Sequence, residues 1–584
     1  MPGLVGHSKN DVFSLQSFST ALDNLIYDES YKKDEVYQDE YIIASRAHLN
    51  IIGEKESPFR SNNCLVWVEG EVYNLEELSI RFNFSYSDFA HTLTEAFISN
   101  NLADFCSHVN GYFSAVLYHV PTSEIIIISD RYGLKPVYIY NNAGALAWAS
   151  ELKCFKYILK KAPDIDQEMV DVFLELGYLT GSRTWFQDVH LADAATLYRY
   201  NLQSNTSSVQ RYWTWSKITP QKIHFDEAVD KLHFLLTKSV NEKTNREENI
   251  GLTLSGGTDS RVILSLLESP CSVETLTWGV PDSVDVLLAK KVAKKKGCKH
   301  SFLELNSNSW YSERETGVWK TDGMFNLMHM HSSGFHGFIK KICDINLNGF
   351  SGDLNVGGGW ITQYNSRITQ EVAFKKLGVG VKFAPFTDSF YDIEHEDPYF
   401  LDTRVRRFTN SGSIEHAKLV EQRKPFYDNN IMEFIYGLPD EYRANSRLYI
   451  ACITKHLPEL FRDIHTTHGI VPIGQKNDLI FKIKRKIKNI PIKLKLQTEP
   501  VWKYHNYAAW LREPEFSTFL LKMLNPETAV YPSFTDRDLL KEYVEPHLRG
   551  KQDLSEKVLA ALTMELWFRQ IFISESVINF RTHN

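Results

Sequence analysis

The sequence has little cysteine, no long hydrophobic run and no strong net charge, and each of these shortages excludes a class of protein. The seven cysteines are widely spaced and none forms a CxxC pair, which excludes a disulfide framework and a cysteine zinc site and fits a reducing compartment. No segment approaches the roughly 18 apolar residues of a membrane span, and the N-terminal MPGLVGHSKN lacks a signal-peptide core. A formal net charge of −7 gives no reason to expect a nucleic-acid partner. We expect a cytoplasmic protein.

The chain is long enough to form two domains, each with a full hydrophobic core. Its 584 residues are 43% hydrophobic and 23% charged, which is ordinary for globular proteins. The pattern predicts a first domain over residues 1–205, a polar linker over 201–208, and a second domain over 210–584.

The most informative stretch is Ile250–Ser269, IGLTLSGGTDSRVILSLLES. The apolar run at its start predicts a buried strand, SGGTDS a tight turn, and Arg261–Leu267 a helix. A glycine-rich turn that enters a helix N-terminus presents backbone N–H groups and partial positive charge, which suits a phosphate. Asp259 would repel that phosphate unless a divalent cation lay between them, so it indicates Mg²⁺. The chain has no GxxxxGK[ST] motif, which excludes a Walker loop.

SGGTDS resembles the pyrophosphate loop of the ATP pyrophosphatase family, whose members split ATP between its α- and β-phosphates. The resemblance implies an ATP site formed by a run of consecutive residues: Leu254, Ser255, Gly256, Gly257, Thr258, Asp259 and Ser260. The alternative is an ordinary strand–turn–helix that is rich in serine and glycine.

Several phrases of the first domain resemble the glutaminase domain of asparagine synthetases and other class II glutamine amidotransferases. In chain order they are EGEVYNL from Glu69, NGYFS from Asn110, DRYGLKPVY from Asp130 and ASELK from Ala149. The resemblance implies an α+β, Ntn-hydrolase-like sandwich. Short strand-like runs between polar turns, with a helical stretch near Phe89–Ile98, agree with it.

The glutaminase chemistry of that family is missing. The family nucleophile is a cysteine at position 2, where this chain has Pro2, which carries neither a thiol nor a primary amine. The oxyanion-hole asparagine is replaced by Glu69, whose carboxylate repels an oxyanion. The arginine that holds the glutamine carboxylate aligns with His48. We predict a degenerate domain without glutaminase activity.

The second domain is predicted to be an α/β, doubly wound parallel-sheet synthetase domain. Phe225–Val240 reads as an amphipathic helix and Val273–Trp278 as a second strand, with a helix–strand rhythm after it. The later positions resemble a phrase of asparagine synthetases: Asp285, Ala289, Ala293, Gly297 and His300. The resemblance places Thr277, Trp278 and Gly279 beside adenine, and the alternative for each is a sheet strand without a ligand.

NGFSGDLNVGG, from Asn348 to Gly358, resembles the GEGADELFGG segment of the same family. Asp353 falls on the family's second Mg²⁺-binding aspartate, next to Gly352, so Asp259 and Asp353 are predicted to bind Mg²⁺-ATP together. Phe350 is a departure. Asparagine synthetases have glutamate there and β-lactam synthetases tyrosine, so the side chain that exchanges a proton is missing.

RKPFYD from Arg423, followed by Gly437-Leu438-Pro439, extends the resemblance through the second domain. The family uses a lysine in adenylation, and Lys455 and Lys476 are our candidates for it. The histidines of MHMHSSGFH (His329, His331, His336) are interpreted as a structural or substrate-pocket loop rather than a metal site. The basic stretch Phe481–Leu496 is interpreted as a solvated face, with an acidic peptide or anionic lipid surface as the alternative.

The sequence thus predicts an ATP-dependent, amide-forming enzyme that activates a carboxylate as an acyl-adenylate, with ATP and Mg²⁺ as cofactors. The layout and the missing cysteine resemble lasso peptide cyclases, which close a macrolactam in a peptide and which would imply a peptide substrate and a precursor-processing partner protein. The alternatives are an ammonia-dependent asparagine synthetase or β-lactam-synthetase-like small-molecule ligase, and a relative that binds nucleotide without turnover.

Overall fold

The computed structural model describes residues 3–53, 55–85, 88–244, 249–268, 273–377, 389–467 and 503–573. Within these residues no helix is both long enough and apolar enough to cross a membrane.

The first domain contains two antiparallel sheets. Its strands, in chain order, are β1 Gly3–Ser8, β2 Lys32–Lys33, β3 Tyr37–Gln38, β4 Ile42–His48, β5 Phe59–Ser61, β6 Cys64–Val72, β7 Gly111–His119, β8 Glu124–Ser129, β9 Tyr138–Asn142, β10 Ala145–Ala149, β11 Val189–Leu191, β12 Thr196–Asn201 and β13 Thr206–Arg211. One sheet has the order β11-β9-β10-β1-β4-β2, with β3 also paired to β4, and the other has the order β13-β12-β8-β7-β6-β5.

The two sheets face each other across a shared apolar layer, as predicted for a sandwich. Trp148 of the first sheet and Trp67 of the second belong to one buried cluster. Alternation along β8 explains the arrangement, because Ile125 and Ile127 point into this layer while Ile126 and Ile128 point to the opposite face. The second sheet is therefore buried on both faces.

The structure corrects the prediction of a linker between the two domains. Residues 201–208 run through the end of β12, a turn and the start of β13, and these strands pair antiparallel from Thr196↔Arg211 to Asn201↔Thr206. The segment is polar because β13 is an exposed edge strand, not because it is unpaired chain. The sandwich accordingly extends to Arg211.

Short helices complete the first domain. The α-helices are Phe18–Asp23, Leu75–Phe82, Phe89–Ile98, Leu102–His108, Phe155–Ile158 and Gln167–Leu176, with 3₁₀ turns at Val120–Thr122 and Leu152–Cys154.

The second domain is built on a parallel sheet. Its strands are β14 Ile250–Thr253, β15 Val273–Gly279, β16 His300–Glu304, β17 Ile345–Leu347 and β18 Glu421–Arg423, in the order β16-β15-β14-β17-β18. The chain first moves outward from β14 to β16 and then returns to the other side of β14. This doubly wound order confirms the predicted fold class and creates a topological switch point between β14 and β17, where such sheets bind ligands.

Helices cover both faces of this sheet and extend beyond it. The α-helices are Phe225–Glu242, Asp259–Leu266, Val284–Lys296, Arg314–Lys320, His336–Ile342, Gly352–Asn355, Gln370–Leu377, Asp397–Phe400, Asn410–His416, Asn429–Tyr436, Asp440–Arg443, Arg447–His456, Pro458–Phe461, Tyr507–Trp510, Pro514–Met523, Glu545–Leu548 and Ser555–Phe568. The 3₁₀ turns are Trp215–Lys217, Leu327–His329, Ser333–Phe335, Ser389–Tyr391, Ala444–Ser446 and Tyr531–Ser533, and the π-helical segments are Leu401–Thr409, Leu540–Val544 and Arg569–Ile573.

Buried charges join the two domains along β18. Arg423 makes a bidentate pair with Glu71, at 2.7 and 2.9 Å, and Lys135 pairs with Glu421 at 2.8 Å. Buried ion pairs of this kind need good geometry to offset the loss of hydration. Because all four residues are buried, the interface holds the sandwich in one place against β18, the edge strand of the parallel sheet.

Candidate active site

Two loops meet at the switch point, and each carries one aspartate. The loop after β14 enters helix Asp259–Leu266 and the loop after β17 enters helix Gly352–Asn355. Asp353 donates its backbone N–H to Asp259 Oδ2 at 2.9 Å. The two aspartates are thus adjacent although 94 positions separate them in the sequence, and their part in binding Mg²⁺ stays a prediction.

Glycines make this approach possible. A Cβ at Gly352 would lie 2.6 Å from Asp259 Cγ, and a Cβ at Gly349 would lie 2.8 Å from Asp259 Cβ. Neither distance is compatible with a side chain at those positions. Gly352, predicted as part of the ATP site, therefore lies in close contact with the carboxylate of Asp259.

The electrostatics of the pair are those of a cation site. Burial, reinforced by the charge of Asp353, raises the pKa of Asp259 to about 8. Its carboxylate also accepts a hydrogen bond from Tyr449 Oη at 3.0 Å, and within the described residues it forms no salt bridge. Two neighbouring carboxylates fit Mg²⁺, which takes one or two protein carboxylates and completes its shell with phosphate oxygens and water.

The SGGTDS loop is closed by its own hydroxyls. Ser260 Oγ accepts from the N–H of Ser255 at 3.1 Å, and Ser255 Oγ accepts from the N–H of Gly257 at 3.1 Å. The two serines, predicted to belong to the ATP site, thus hold the shape of the turn. Thr258 is the N-cap of the following helix and makes no side-chain cap bond, so the first N–H groups of that helix are free of a cap, as an anion site requires.

Three further residues brace the loop from outside, and the sequence assigned none of them a role. Asp285 Oδ1 accepts from the N–H of Gly256 at 3.0 Å and from Thr467 Oγ1 at 2.7 Å. Arg261, fully buried, donates to the carbonyl of Gly256 at 3.0 Å and to that of Ile464 at 2.7 Å. Asp285 stood in a recognised phrase, whereas no local motif indicates Thr467 or Arg261.

The residues predicted to lie beside adenine are Thr277, Trp278 and Gly279, and their contacts are with neighbouring strands and loops. Thr277 Oγ1 donates to the carbonyl of Leu254 at 2.5 Å, and Leu254 donates its own N–H to the carbonyl of Leu276. The ring of Trp278 packs against His416, with 5.7 Å between centroids. Gly279 has a φ of +149°, and a Cβ there would lie 3.0 Å from Tyr504. Their part in binding adenine stays a prediction.

Phe350 lies beside the aspartate pair, directly after Gly349. Its ring packs 5.2 Å from that of Tyr427, and the ammonium of Lys424 lies 4.9 Å from the ring centroid. Burial, and then the charge of Lys135, lower the pKa of Lys424 to about 7. No local pattern indicates a role for Lys424, because the segment RKPFYD does not show that it places an amine against this ring.

Of the two lysine candidates, the structure describes Lys455 and places it on the surface rather than at the loop. Lys455 forms a surface ion pair with Asp230 of helix Phe225–Glu242 at 2.6 Å. Lys476 lies outside the described residues, as does the basic stretch Phe481–Leu496.

No group of three or more potential metal ligands occurs in the part of the chain that is described. His331 is instead held between Tyr507 Oη, at 2.6 Å, and Tyr504 Oη, at 2.9 Å.

In the first domain, Glu69 replaces the family's oxyanion-hole asparagine and is part of a polar network. Glu69 is buried, accepts from Ser150 Oγ at 2.8 Å and lies 3.8 Å from Lys135 Nζ. His48 Nε2 lies 3.5 Å from Asp34, which also pairs with Arg46 at 2.6 Å. Pro2 is outside the described residues.

Comparison with protein families agrees with both halves of this architecture. Residues 1–213 match the glutamine amidotransferase domain family, and residues 231–377 match the asparagine synthase family. The chain belongs to the asparagine synthetase-like family. The asparagine synthase match, over residues 231–377, contains both loops of the aspartate pair. The glutamine amidotransferase match, over residues 1–213, contains all the strands of the sandwich.

The relatives in this family are distant. The chain is 21% identical over 486 residues to asparagine synthetase [glutamine-hydrolyzing] 2 of Bacillus subtilis, covering 74% of this chain and 65% of that protein. It is 25% identical to a probable asparagine synthetase of Acanthamoeba polyphaga mimivirus, covering 65% of this chain and 66% of that one, and 24% identical to the asparagine synthetase of Rattus norvegicus, covering 64% of each. The chain thus spans slightly less than two thirds of the length of these relatives. A glutamine PRPP amidotransferase structure from B. subtilis has a TM-score of 0.25, with 14% identity over 51% of this chain and 65% of that one, and supports no argument.

Proposed function

We propose that this asparagine synthetase-like protein is an ATP-dependent carbon–nitrogen ligase that activates a carboxylate as an acyl-adenylate and releases AMP and pyrophosphate. The observation that carries the proposal is the contact of Asp259 with Asp353 at the switch point. Two neighbouring carboxylates beside a helix N-terminus, each acting on the other's charge, have no evident use in a purely structural turn, since their mutual repulsion is destabilising.

Each part of the site has a role in this proposal. The N-terminus of helix Asp259–Leu266 binds phosphate oxygens, while Asp285 and Arg261 keep the loop in its binding shape. Asp259 and Asp353 would hold Mg²⁺, which neutralises charge on the phosphates when it is bound. Because burial lowers the pKa of Lys424 to about 7, part of its population is neutral near pH 7, which suits a group that accepts a proton from an attacking amine.

We further propose that the amine belongs to the substrate itself, so that the product is a macrolactam of the lasso peptide type. Support comes from the apolar ring of Phe350 where asparagine synthetases have glutamate, and from the carboxylate of Glu69 where the glutaminase family has its oxyanion-hole asparagine. A peptide substrate would also fit a precursor-processing partner protein. The ammonia-dependent asparagine synthetase is the second candidate, because the named relatives are asparagine synthetases.

The first domain is expected to release no glutamate from glutamine. Glu69 presents a buried carboxylate where an oxyanion would develop, and Pro2 supplies no nucleophile. The measurement is glutamate formation by the purified full chain. The variant E69N is expected to stay inactive because Pro2 remains, and glutamate formed by the unaltered chain at a rate matching its AMP formation would contradict the prediction.

The proposal as a whole is tested by mass-spectrometric detection of AMP and pyrophosphate with Mg²⁺-ATP. One set of reactions contains candidate peptides with a free N-terminus and an internal Asp or Glu, and the other contains aspartate with ammonia or glutamine. AMP together with a peptide that has lost one water supports the cyclase. AMP with asparagine from free ammonia favours the second candidate, and bound ATP without AMP under every condition favours a non-catalytic relative.

A further inference from the structure

A small cavity lies where the sandwich meets the second domain, apart from the aspartate pair. Its volume is about 30 Å³. The first domain contributes Tyr138 and Ser150 to its wall, and the second contributes Lys320, Arg407 and Lys418. Both domains must therefore be docked for the cavity to exist.

Three residues of the wall carry hydrogen-bond donors for which the described part of the chain supplies no acceptor. Lys320 is 6% exposed, Arg407 7% and Tyr138 5%. Among the described residues, Lys320 Nζ makes no hydrogen bond or ion pair and Tyr138 Oη makes no hydrogen bond. Arg407 uses Nε and Nη2 on the carbonyls of Leu179 and Arg183, which leaves Nη1 without an acceptor there. Buried donors are rarely left unpaired, because desolvation without a partner is costly.

Two carboxylates, those of Glu151 and Asp322, belong to the cavity wall, and both are already paired with other cations. Glu151 pairs with both Lys153 and Lys418, and Asp322 pairs with Lys153 at 3.0 Å while accepting the N–H groups of residues 152 and 153. Glu415, whose charge acts on Lys320, is bonded to Ser333. Positive charge on Lys320 and Arg407 is therefore left without a contacting carboxylate.

We propose that the cavity binds one small monovalent anion, of the size of chloride or formate, between Lys320, Arg407 and Tyr138. A buried water needs roughly 10–15 Å³ of such space, so the cavity accommodates an anion of one to three heavy atoms but no phosphate or amino acid. Three donors line the same cavity, and its wall holds more cationic side chains than carboxylates, which favours an anion over neutral water. Since the wall is shared, the anion stabilises the docked arrangement of the two domains.

Thermal unfolding of the full chain tests the proposal at constant ionic strength, with sodium chloride or sodium formate replacing sodium gluconate, whose anion is too large for the cavity. An anion that binds only the folded protein raises the unfolding temperature with the logarithm of its concentration above the dissociation constant. We expect this rise for chloride and formate in the unaltered chain. Equal unfolding temperatures in chloride and gluconate would overturn the proposal.

The variant K320M keeps the apolar stem of the side chain and removes its charge. We expect it to fold, because it removes an unpaired buried cation, and to show no difference between chloride and gluconate. The matched control K161M removes a lysine whose side chain is 83% exposed and should keep the full chloride effect. A chloride effect that survives in K320M would place the anion elsewhere.

Crystals of the full chain grown with bromide give a direct readout. An anomalous peak within hydrogen-bond distance of Lys320 Nζ and Arg407 Nη1 is the expected result. Density that refines as water alone, without an anomalous signal, would overturn the proposal.

Discussion

AMP formation is expected to fall on the order of 100- to 1,000-fold in the variant D353N, because the loss of one carboxylate removes several kcal/mol of charge stabilisation at the metal and phosphates. The contact that positions this residue uses its backbone N–H, which bonds Asp259 at 2.9 Å. Asparagine keeps that N–H and the size of the side chain, so the loop is expected to keep its structure. The measurement is the steady-state rate of AMP release at saturating Mg²⁺-ATP.

The companion variant D259N separates lost chemistry from lost folding. Burial and Asp353 raise the pKa of Asp259 from 3.8 to about 8, so the folded state resists ionisation of this carboxyl. The metal-free protein is therefore expected to lose stability as the pH rises from about 4 through 8. D259N lacks this penalty, and we expect it to be inactive yet to unfold at a higher temperature than the unaltered chain at pH 8, with little difference at pH 4.

The control for both variants is D282N, at an exposed aspartate in the turn after β15, which should leave both AMP formation and unfolding temperature unchanged. If D353N kept more than about a tenth of the original rate, the aspartate pair would not be the metal site. If D259N were less stable than the unaltered chain at pH 8, its loss of activity would count as a folding defect.

The variant R423M is expected to lower the free energy of unfolding by about 3–5 kcal/mol, the usual effect of leaving a buried charge without its partner. Arg423 and Glu71 are both buried, and the guanidinium also donates to the carbonyl of Lys243 at 2.9 Å. Since the pair joins β18 to β6, undocking of the domains should contribute to the loss. Hydrogen exchange over β6 and β18, together with urea unfolding, measures it.

A double variant shows whether the loss belongs to the pair. In R423M/E71L both charges are removed, and we expect most of the stability to return, because apolar replacements of a buried pair are often nearly neutral. The matched control is R549M, which breaks the surface pair of Arg549 with Glu545 at 2.6 Å and should cost no more than about 1 kcal/mol. Equal effects of R423M and R549M would show that the buried pair does not hold the interface.

Local sequence patterns were sufficient to predict the main elements near the site. An apolar run followed by SGGTDS and an amphipathic segment predicts a strand, a turn and a helix, and the structure has them at Ile250–Thr253 and Asp259–Leu266. The linker prediction was wrong for a local reason. An exposed edge strand such as β13 is as polar as a loop, and its pairing with β12 is a tertiary fact that composition does not show.

The sequence by itself was enough to predict a two-domain organisation, a pair of metal-binding aspartates and the loss of the glutaminase groups, because each prediction depends on residue type within a short phrase. Only the tertiary structure decided which residues support them. Thr467 reaches Gly256, Arg423 reaches Glu71, and Lys320, Arg407 and Tyr138 share one wall, across separations of more than 80 residues in each case. Such contacts follow from strand order and domain docking, and no periodicity within a segment encodes them.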